Sequence, residues 1–237
     1  MRSILSAMVL ASVAALFIPT ARADETTSKS PSPLFCEKGK ELLSEDFSSP
    51  TLAKEWRAAK GKWEVKDGAV RGDEIAADKH AAVIRRDLPT HNLIAEFSFR
   101  FDGGKQLGFS LNDKKGHVCR AKISPTQLQL NKDVPHDSKE KPPVLDTQKL
   151  DLKPGEWHTA VIEVGGNTMV ASIDGKVVAF GTHEGIDVDK SNFGFPISGA
   201  GVSIKALHVW EAKLPVDPAA AMKKLEALHT KTANTAN

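Results

Sequence analysis

Alternation of apolar and polar residues is the dominant pattern of the chain. In NLIAEFSFRF (92–101), Phe97, Phe99 and Phe101 point to one side of an extended strand, and the residues between them point to the other. Similar segments, separated by turn residues, recur at 62–72, 80–88, 106–113, 116–123, 126–132, 158–166, 168–175, 176–181, 192–197 and 201–212. About a dozen short strands with almost no helix predict an all-β protein of two packed antiparallel sheets.

Two Asp-Gly pairs mark tight turns between predicted strands. Asp67-Gly68 lies in KWEVKDGAVRG, and Asp174-Gly175 ends TMVASIDG. Both positions of such a pair tolerate a positive φ, as a two-residue hairpin turn requires. Both aspartates are therefore assigned to turns rather than to chemistry. The charged, proline-rich segment 133–146 is expected to be a loop.

The two ends of the chain differ from its strand-rich middle. Residues 1–23 combine an early arginine, an apolar run and Ala21-Arg22-Ala23, which is the layout of a secretory signal peptide cut after Ala23. Near the other end, DPAAAMKKLEALHTK (217–231) places apolar residues on one helical stripe. The expected parts are a signal peptide (1–23), a flexible leader (24–40), a sandwich domain (41–212), and a C-terminal helix and tail (213–237). The protein is expected to be exported to the periplasm or the extracellular space.

Charge argues against nucleic acid as a partner. The chain has 32 basic and 30 acidic residues, but Arg2 and Arg22 lie in the predicted signal peptide, and 30 of each sign remain without them. A neutral chain lacks the attraction on which binding to a phosphate backbone depends. No later apolar run is long enough to cross a bilayer, so no membrane insertion is expected after signal cleavage. The oligomeric state stays open.

Two cysteines, Cys36 and Cys119, allow two interpretations. In an oxidising compartment they pair and tie the N-terminal arm to a central strand. Alternatively, Cys119 is a buried free thiol and Cys36 belongs to the flexible leader. The sequence has no Cys-x-x-Cys pair, no Cys/His cluster and no dense Asp/Asn loop around Asp102 or Asp113, so no metal is expected.

The segment PGEWHTAVIEV (154–164) raises the question whether His158 is catalytic. His158 falls in the same alternate set as Ala160 and Ile162, directly after a Pro-Gly turn. A histidine at such a position usually hydrogen-bonds a neighbouring loop, and no orienting partner is visible, so a structural role is favoured. For the same positional reason, Trp157 is interpreted as a core residue rather than as a platform for a sugar ring.

The best collection of polar residues lies on adjacent predicted strands and their connection: Arg100, Gln106, Asn112, Asp113, His117 and Arg120. Arg100 lies opposite the phenylalanine set, and Arg120 lies opposite Cys119 and Ala121. If these strands are neighbours in one sheet, the side chains reach one ligand. Planar polar groups of this kind suit sugar hydroxyls. The alternative is a hydrophilic sheet surface with no ligand.

A glycoside hydrolase of the usual kind needs two carboxyl groups facing each other across the scissile bond, ~5–10 Å apart. Asp113 is the only acid in the polar collection. Glu96, on the same strand face as Arg100, is the candidate for the second carboxyl. Glu96 is equally compatible with a solvated strand face paired to its neighbours.

The order of several motifs, spanning about residues 41–212, resembles a known family. These motifs are EDF, KWEVKDGAVRG, FSFRF, KPGEWHTAVIEV, ASIDGKVV and NFGFPISG followed by VSIKALHVWEA. Their order is similar to that of the 3-keto-disaccharide hydrolase-like family of concanavalin A-like, laminin-G-like jelly rolls. The resemblance implies two curved antiparallel sheets, with carbohydrate bound in a concave groove. It also implies, for some members, cleavage of glycosidic bonds of 3-oxidised disaccharides.

The sequence therefore predicts an exported carbohydrate-active jelly roll with a short C-terminal helix. In the enzyme hypothesis, a possible glycoside hydrolase cleaves 3-keto-disaccharides with Asp113 and Glu96 as catalytic carboxyls. Its substrate-binding residues are Arg100, Gln106, Asn112 and Arg120, all on one concave face. The alternative is a non-catalytic glycan- or protein-binding module. Carbohydrate is the expected partner, and no cofactor is expected.

Overall fold

A computed structural model describes residues 31–235, with side chains described through 229. Its fourteen strands are, in chain order, β1 (Glu37–Glu45), β2 (Trp56–Lys60), β3 (Lys62–Lys66), β4 (Ala69–Asp73), β5 (Ala82–Thr90), β6 (Leu93–Phe101), β7 (Gly104–Asn112), β8 (His117–Ser124), β9 (Gln127–Lys132), β10 (Val144–Lys149), β11 (His158–Gly165), β12 (Thr168–Ile173), β13 (Val177–Thr182) and β14 (Lys190–Lys213). One helix, α1 (Pro218–Thr235), follows them, and two short 3₁₀ turns lie at Ala76–Asp78 and Glu184–Ile186.

The strands form two antiparallel sheets that share β14. The first sheet has the order β3–β4–β14–β6–β11–β12–β13, with β1 beside the end of β14. The second sheet has the order β2–β5–β14–β7–β8–β9–β10. The predicted two-sheet sandwich with a C-terminal helix is confirmed. Two strands were expected at 192–197 and 201–212, but β14 is continuous. Its crossing from the second sheet to the first uses Gly199 and Gly201, at φ 79° and 83°, a backbone region that glycine enters at low cost.

Phenylalanines from both sheets fill the interior of the sandwich. Phe97 and Phe99 of the first sheet and Phe109, Phe193 and Phe195 of the second are each at most 1% exposed. The rings of Phe97 and Phe195 meet edge to face across the sandwich, with centroids 5.1 Å apart. Burying each such side chain contributes about 1.5–3 kcal/mol, so this layer holds the two sheets together.

Both predicted Asp-Gly turns are present. Asp67 and Gly68 have φ values of 53° and 69°, and Asp174 and Gly175 have values of 54° and 64°. Positive φ at both central residues is the geometry that pairs two twisted strands through a two-residue loop. The expected loop at 133–146 is shorter, because β10 begins at Val144 and pairs with β9.

Half of the first sheet's outer face is apolar and covered. Val161, Val170 and Val178 lie there beneath Leu225 of α1, which is fully buried, and beneath Phe35. The imidazole Nε2 of His229 in α1 also lies 2.9 Å from the carboxylate of Asp146. Helix α1 therefore packs against the outside of the sandwich. No helix among residues 31–235 has the length and hydrophobicity that a membrane crossing requires.

The segment before β1 is anchored on Glu163, which is 1% exposed. Its carboxylate accepts hydrogen bonds from the backbone N–H groups of Leu34, Phe35 and Cys36 at 2.6, 2.9 and 2.7 Å. The flexible leader was expected to extend to residue 40. The structure instead fixes the chain from residue 34 onward, because these hydrogen bonds attach it to Glu163. Residues 1–30 lie outside the described residues, so the predicted signal peptide and the first part of the leader stay predictions.

The two cysteines are free and buried in different places. Cys36 belongs to the cluster beneath α1, whereas Cys119 belongs to the core between the sheets. Burial raises the pKa of each thiol to about 12. The disulfide alternative is therefore wrong, because the second sheet's core residue points away from the N-terminal segment that packs on the first sheet.

The buried carboxyl of Glu163 makes stability depend on pH. Desolvation by burial raises its pKa above the ordinary value of 4.5, although the three backbone N–H groups oppose this effect. The folded state then holds the proton more tightly than the unfolded state. The contribution of Glu163 to the free energy of unfolding is therefore expected to fall as pH rises from about 4.5 through the raised pKa. Glu163→Gln carries no charge at any pH and lacks this dependence.

The measurement is urea unfolding of both proteins between pH 4 and pH 8. The wild type is expected to lose stability relative to Glu163→Gln as pH rises. A constant difference across this range would contradict the assignment. Glu163→Ala leaves three buried N–H groups unpaired and is expected to lose at least ~2 kcal/mol at every pH.

Candidate functional site

The six predicted site residues do not converge, because they lie on two different sheets. Phe97 and Phe99 point into the core, so Glu96 and Arg100 of β6 lie on the outer face of the first sheet. Arg120 of β8 lies on the outer face of the second sheet, opposite the buried Cys119. The whole core separates these two faces. The predicted single groove is wrong, because alternation places a residue on the outer face but does not say on which sheet.

Gln106, Asn112 and Asp113 belong with Arg120. Gln106 and Asn112 lie on the outer face of β7, which pairs with β8, and Asp113 begins the turn between these two strands. The Asp113 carboxylate accepts hydrogen bonds from the backbone N–H groups of Lys115 and Gly116 at 2.6 and 2.8 Å. Asp113 therefore closes a turn.

Glu96 lies on the outer face of the first sheet, where it forms an ion pair. Its carboxylate lies 2.8 Å from the Nζ atom of Lys38, and the residue is only 7% exposed. Glu96 and Asp113 are on different sheets, so these two carboxyls do not form a facing pair. The acid pair proposed from the sequence is thus corrected by the topology.

A row of residues in register crosses the outer face of the second sheet. Cα pairing runs from Arg85 through Gly194, Ser110 and Arg120 to Asn131, one residue from each of β5, β14, β7, β8 and β9. We call these five residues the second-sheet row. Neighbours in such a row stand about 5 Å apart, so their side chains reach the same ligand.

The middle of the row forms a depression in the sheet surface, because Gly194 and Ser110 have small side chains or none. A Cβ atom on Gly194 would lie 2.9 Å from Cγ of Arg85, so only glycine allows the Arg85 side chain to lie over β14. The Ser110 hydroxyl donates to the carbonyl of Gly194 at 3.3 Å. The stem of Arg85 and the hydroxyl of Ser110 therefore both lie close to Gly194.

The other half of the row is built around an ion pair. Arg120 Nε donates to the carboxylate of Asp133 at 2.9 Å, and Asp133 is 5% exposed. Lys122, two residues along β8, faces the same way. Burial and then Arg120 lower the pKa of Lys122. This part of the face carries three cations (Arg85, Arg120 and Lys122) and one carboxylate (Asp133), so it is positively charged.

Two polar atoms of the row have no hydrogen-bond partner among the described residues. These are Nε of Arg85 and Oδ1 of Asn131, both buried. Asn131 is 2% exposed, and its amide nitrogen lies 3.4 Å from the carbonyl of Pro143. Buried polar groups are nearly always satisfied in folded proteins. An unpartnered donor and an unpartnered acceptor in one row therefore indicate a polar ligand or ordered water.

A cavity of about 250 Å³ lies at the end of β7, lined by Arg85, Asn112, Asn192 and His117 among others. The amide of Asn112 donates to Oδ1 of Asn192 at 2.7 Å, so Asn112 Oδ1 remains to accept from Nδ1 of His117. Burial, followed by the charge of Arg120, lowers the pKa of His117 below 6.5. The imidazole is thus neutral at pH 7, with the lone pair on Nε2.

The structure agrees with the sequence-based interpretation of His158 but not with that of Trp157. His158 lies on the interior side of β11 with Nδ1 2.8 Å from the carboxylate of Asp174, and its ring is 5.8 Å from that of Phe99. This geometry fits the structural role favoured from the sequence. The interpretation of Trp157 as a core residue is wrong. Trp157 is half-buried outside the core, where it contacts Arg100 and Lys205.

Sequence reasoning missed Arg85, Lys122, Asn131, Asp133 and Asn192. Alternation alone puts Asn131 on the polar side of β9, and it puts Arg85 opposite Ile84. Their convergence depends on pairings between strands far apart in sequence, which alternation does not contain. Within residues 31–235, no group of three or more His, Cys, Asp or Glu side chains is arranged to hold a metal ion.

No family model matches this chain, and no curated protein matches it in sequence. Solved structures do resemble it. A protein of unknown function with a galectin-like fold from Bacillus subtilis has a TM-score of 0.57 at 13% identity, covering 76% of this chain and 100% of that chain. The carbohydrate-binding module CBM66 from Bacillus subtilis has a TM-score of 0.54 at 15% identity, covering 66% and 96%.

A non-specific endo-β-1,3(4)-glucanase from family GH16 has a TM-score of 0.55 at 10% identity, covering 79% of this chain and 98% of that chain. At these identities the likeness shows the fold. The chain is an antiparallel β-sandwich of the jelly-roll kind.

The ionisation of His117 tests the geometry of this face. We expect a histidine pKa below 6.5 that can be assigned to His117 by its loss in His117→Gln. In Arg120→Gln that pKa is expected to rise, because a nearby cation is removed while the carboxylate of Asp133 stays. Titration followed by proton–nitrogen NMR measures both values. A His117 pKa that does not respond to Arg120→Gln would place the two side chains too far apart for the described site.

Proposed function

We propose that this protein binds a carbohydrate carrying acidic groups on the outer face of its second sheet. The observation that carries the proposal is the second-sheet row, with the unpartnered Nε of Arg85 and Oδ1 of Asn131. Sugar hydroxyls both donate and accept hydrogen bonds, so they satisfy an orphan donor and an orphan acceptor together. The excess of cations favours a carboxylate or sulfate group on the sugar.

The fold supports this proposal. One structural neighbour is named as a carbohydrate-binding module and another as a glucanase. Binding alone accounts for the arrangement, because Asp133 is the only carboxyl that contacts the described row and it is tied to Arg120. Acid–base hydrolysis of the usual kind needs a second carboxyl across the bond.

Binding is tested with Arg85→Gln and Lys122→Gln, which remove cations without breaking an ion pair found in the structure. Calorimetric titration with tetragalacturonate is compared with titration by the neutral β-1,4-galactotetraose. We expect the acidic tetrasaccharide to bind more tightly, and each substitution to weaken it by roughly tenfold, the equivalent of ~1.4 kcal/mol. Lys54→Gln, in an exposed loop outside the row, is the matched control.

Equal affinity of wild type and Arg85→Gln would contradict the proposal. So would tighter binding of the neutral than of the acidic tetrasaccharide, with an affinity for the neutral one that Arg85→Gln weakens.

Hydrolysis of 3-keto-disaccharides, which the sequence resemblance implies, is a second candidate. A 3-oxo group makes the proton on C2 acidic. Removal of that proton by a base gives an enolate that expels the C1 substituent as an alkoxide, which takes up the proton held by the base. Water then adds across the resulting C1–C2 double bond, placing hydroxyl on C1 and hydrogen on C2. This route needs one base and cations beside the enolate rather than two carboxyls. The neutral imidazole of His117, acted on by the charges of Arg85 and Arg120, is the observation that favours it.

A turnover assay with a 3-keto-glycoside distinguishes binding alone from hydrolysis. The release of the aglycone is the quantity measured. If the protein only binds, no release above the uncatalysed rate is expected, and His117→Gln changes affinity by a few-fold at most. If elimination occurs, His117→Gln is expected to reduce turnover by ~10²–10⁴-fold, the usual contribution of a general base. The wild-type rate would then rise with pH through the pKa of His117.

A further inference from the structure

A second row of side chains crosses the outer face of the first sheet, on the opposite side of the molecule. Register pairing connects Glu64 of β3, Arg71 of β4, Ser203 of β14 and Arg100 of β6. Trp157, directly before β11, lies at the end of the row beside Arg100. These residues line a cavity of about 680 Å³, which we call the Trp157 groove. Its volume is in the range of saccharide and other small-ligand sites.

An ion network holds the groove's arginines in place. Arg71 lies between two carboxylates, 3.2 Å from that of Asp73 and 3.5 Å from that of Asp102. Asp102 also lies 2.7 Å from Nε of Arg100 and accepts the Ser203 hydroxyl at 2.8 Å. Groups fixed in this way lose little freedom when a ligand binds, which favours affinity.

Trp157 is held outside the core by cations rather than by apolar packing. The guanidinium carbon of Arg100 lies 4.8 Å from the ring centroid, and Nζ of Lys205 lies 4.3 Å from it. His158 points inward, so the residue before it points outward, and Trp157 thereby reaches the open half of the face. An indole ring at the edge of a polar groove supplies a flat apolar surface that a solvated sheet face does not need.

The chemistry of the groove fits a neutral sugar. Its floor includes the small side chains of Ser203 and Ala69, and its walls carry both signs of charge, with three carboxylates (Glu64, Asp67 and Asp73) among five cations. Carboxylates accept from hydroxyls and guanidinium groups donate to them, so both are used by a polyol. The carbon-bonded face of a pyranose ring is apolar and stacks on an aromatic ring.

We propose that the Trp157 groove is a second binding site, which takes a neutral pyranoside chain with one ring stacked on Trp157. This site is separate from the second-sheet row and does not depend on its function.

The test is proton–nitrogen NMR titration of the full chain with cellotetraose, laminaritetraose, β-1,4-galactotetraose and β-1,4-mannotetraose. The indole N–H signal of Trp157 is assigned by its loss in Trp157→Phe. At least one tetrasaccharide is expected to shift that signal. Trp157→Ala is expected to weaken the same ligand by ~10-fold or more, the effect typical of a buried aromatic anchor, whereas Trp157→Phe stays within a few-fold.

Glu64→Ala keeps the test valid if Trp157→Ala fails to fold, because Glu64 lies on an edge strand with its side chain 43% exposed. It is expected to weaken binding by several-fold, and Glu55→Ala in an exposed loop is the matched control. Lys54→Gln, in an exposed loop outside both rows, is expected to leave this affinity unchanged.

Three outcomes would overturn the proposal. The first is no shift of the Trp157 signal by any of the four tetrasaccharides at 10 mM. The second is an affinity that Trp157→Ala and Glu64→Ala leave unchanged. The third is tetragalacturonate or single-stranded DNA binding the groove more tightly than every neutral probe, which would make it a polyanion site.

Discussion

Strand β14 is the constraint on which the architecture depends, because one continuous strand belongs to both sheets. Its first part lies between β5 and β7, and its last part lies between β6 and both β4 and β1. The crossing between the two parts needs the positive φ of Gly199 and Gly201. This one strand decides which side of the molecule every outward side chain reaches. It separates Arg100 from Arg120, although the two residues are only twenty positions apart.

One half of the first sheet's outer face is covered by other parts of the chain, and the other half is exposed to solvent. Where the outward residues are valines, the face is covered by α1 and by the segment that Glu163 anchors. Where the outward residues are charged or small, the face is open as the Trp157 groove. Removing apolar surface from water lowers the free energy of the protein. Removing a solvated row of ion pairs from water gives no such stabilisation. The cover therefore ends where the polar row begins.

Carboxylates on both faces serve mainly as partners for cations. Asp133 holds Arg120, Asp102 holds Arg100, and Glu96 holds Lys38. A carboxylate in such a pair is held in a fixed position beside its cation, which suits hydrogen bonding to a ligand. Beside the second-sheet row, burial and the charge of Arg120 lower the pKa of His117 and keep its imidazole neutral. Binding and base-catalysed elimination are therefore both compatible with the second sheet, while a two-carboxyl mechanism is not supported there.

The sequence by itself determined the fold class, the Asp-Gly turns and the inward direction of the phenylalanines, because these follow from the two-residue period of a strand and from local φ preferences. It also identified Arg120 and Asn112 as outward residues. It did not determine that Arg85 and Asn131 join them, that Trp157 leaves the core, or that Cys36 and Cys119 lie apart. Those facts depend on which strands pair and on which sheet each strand joins. Such pairings connect residues distant along the chain, so only the tertiary structure decided them.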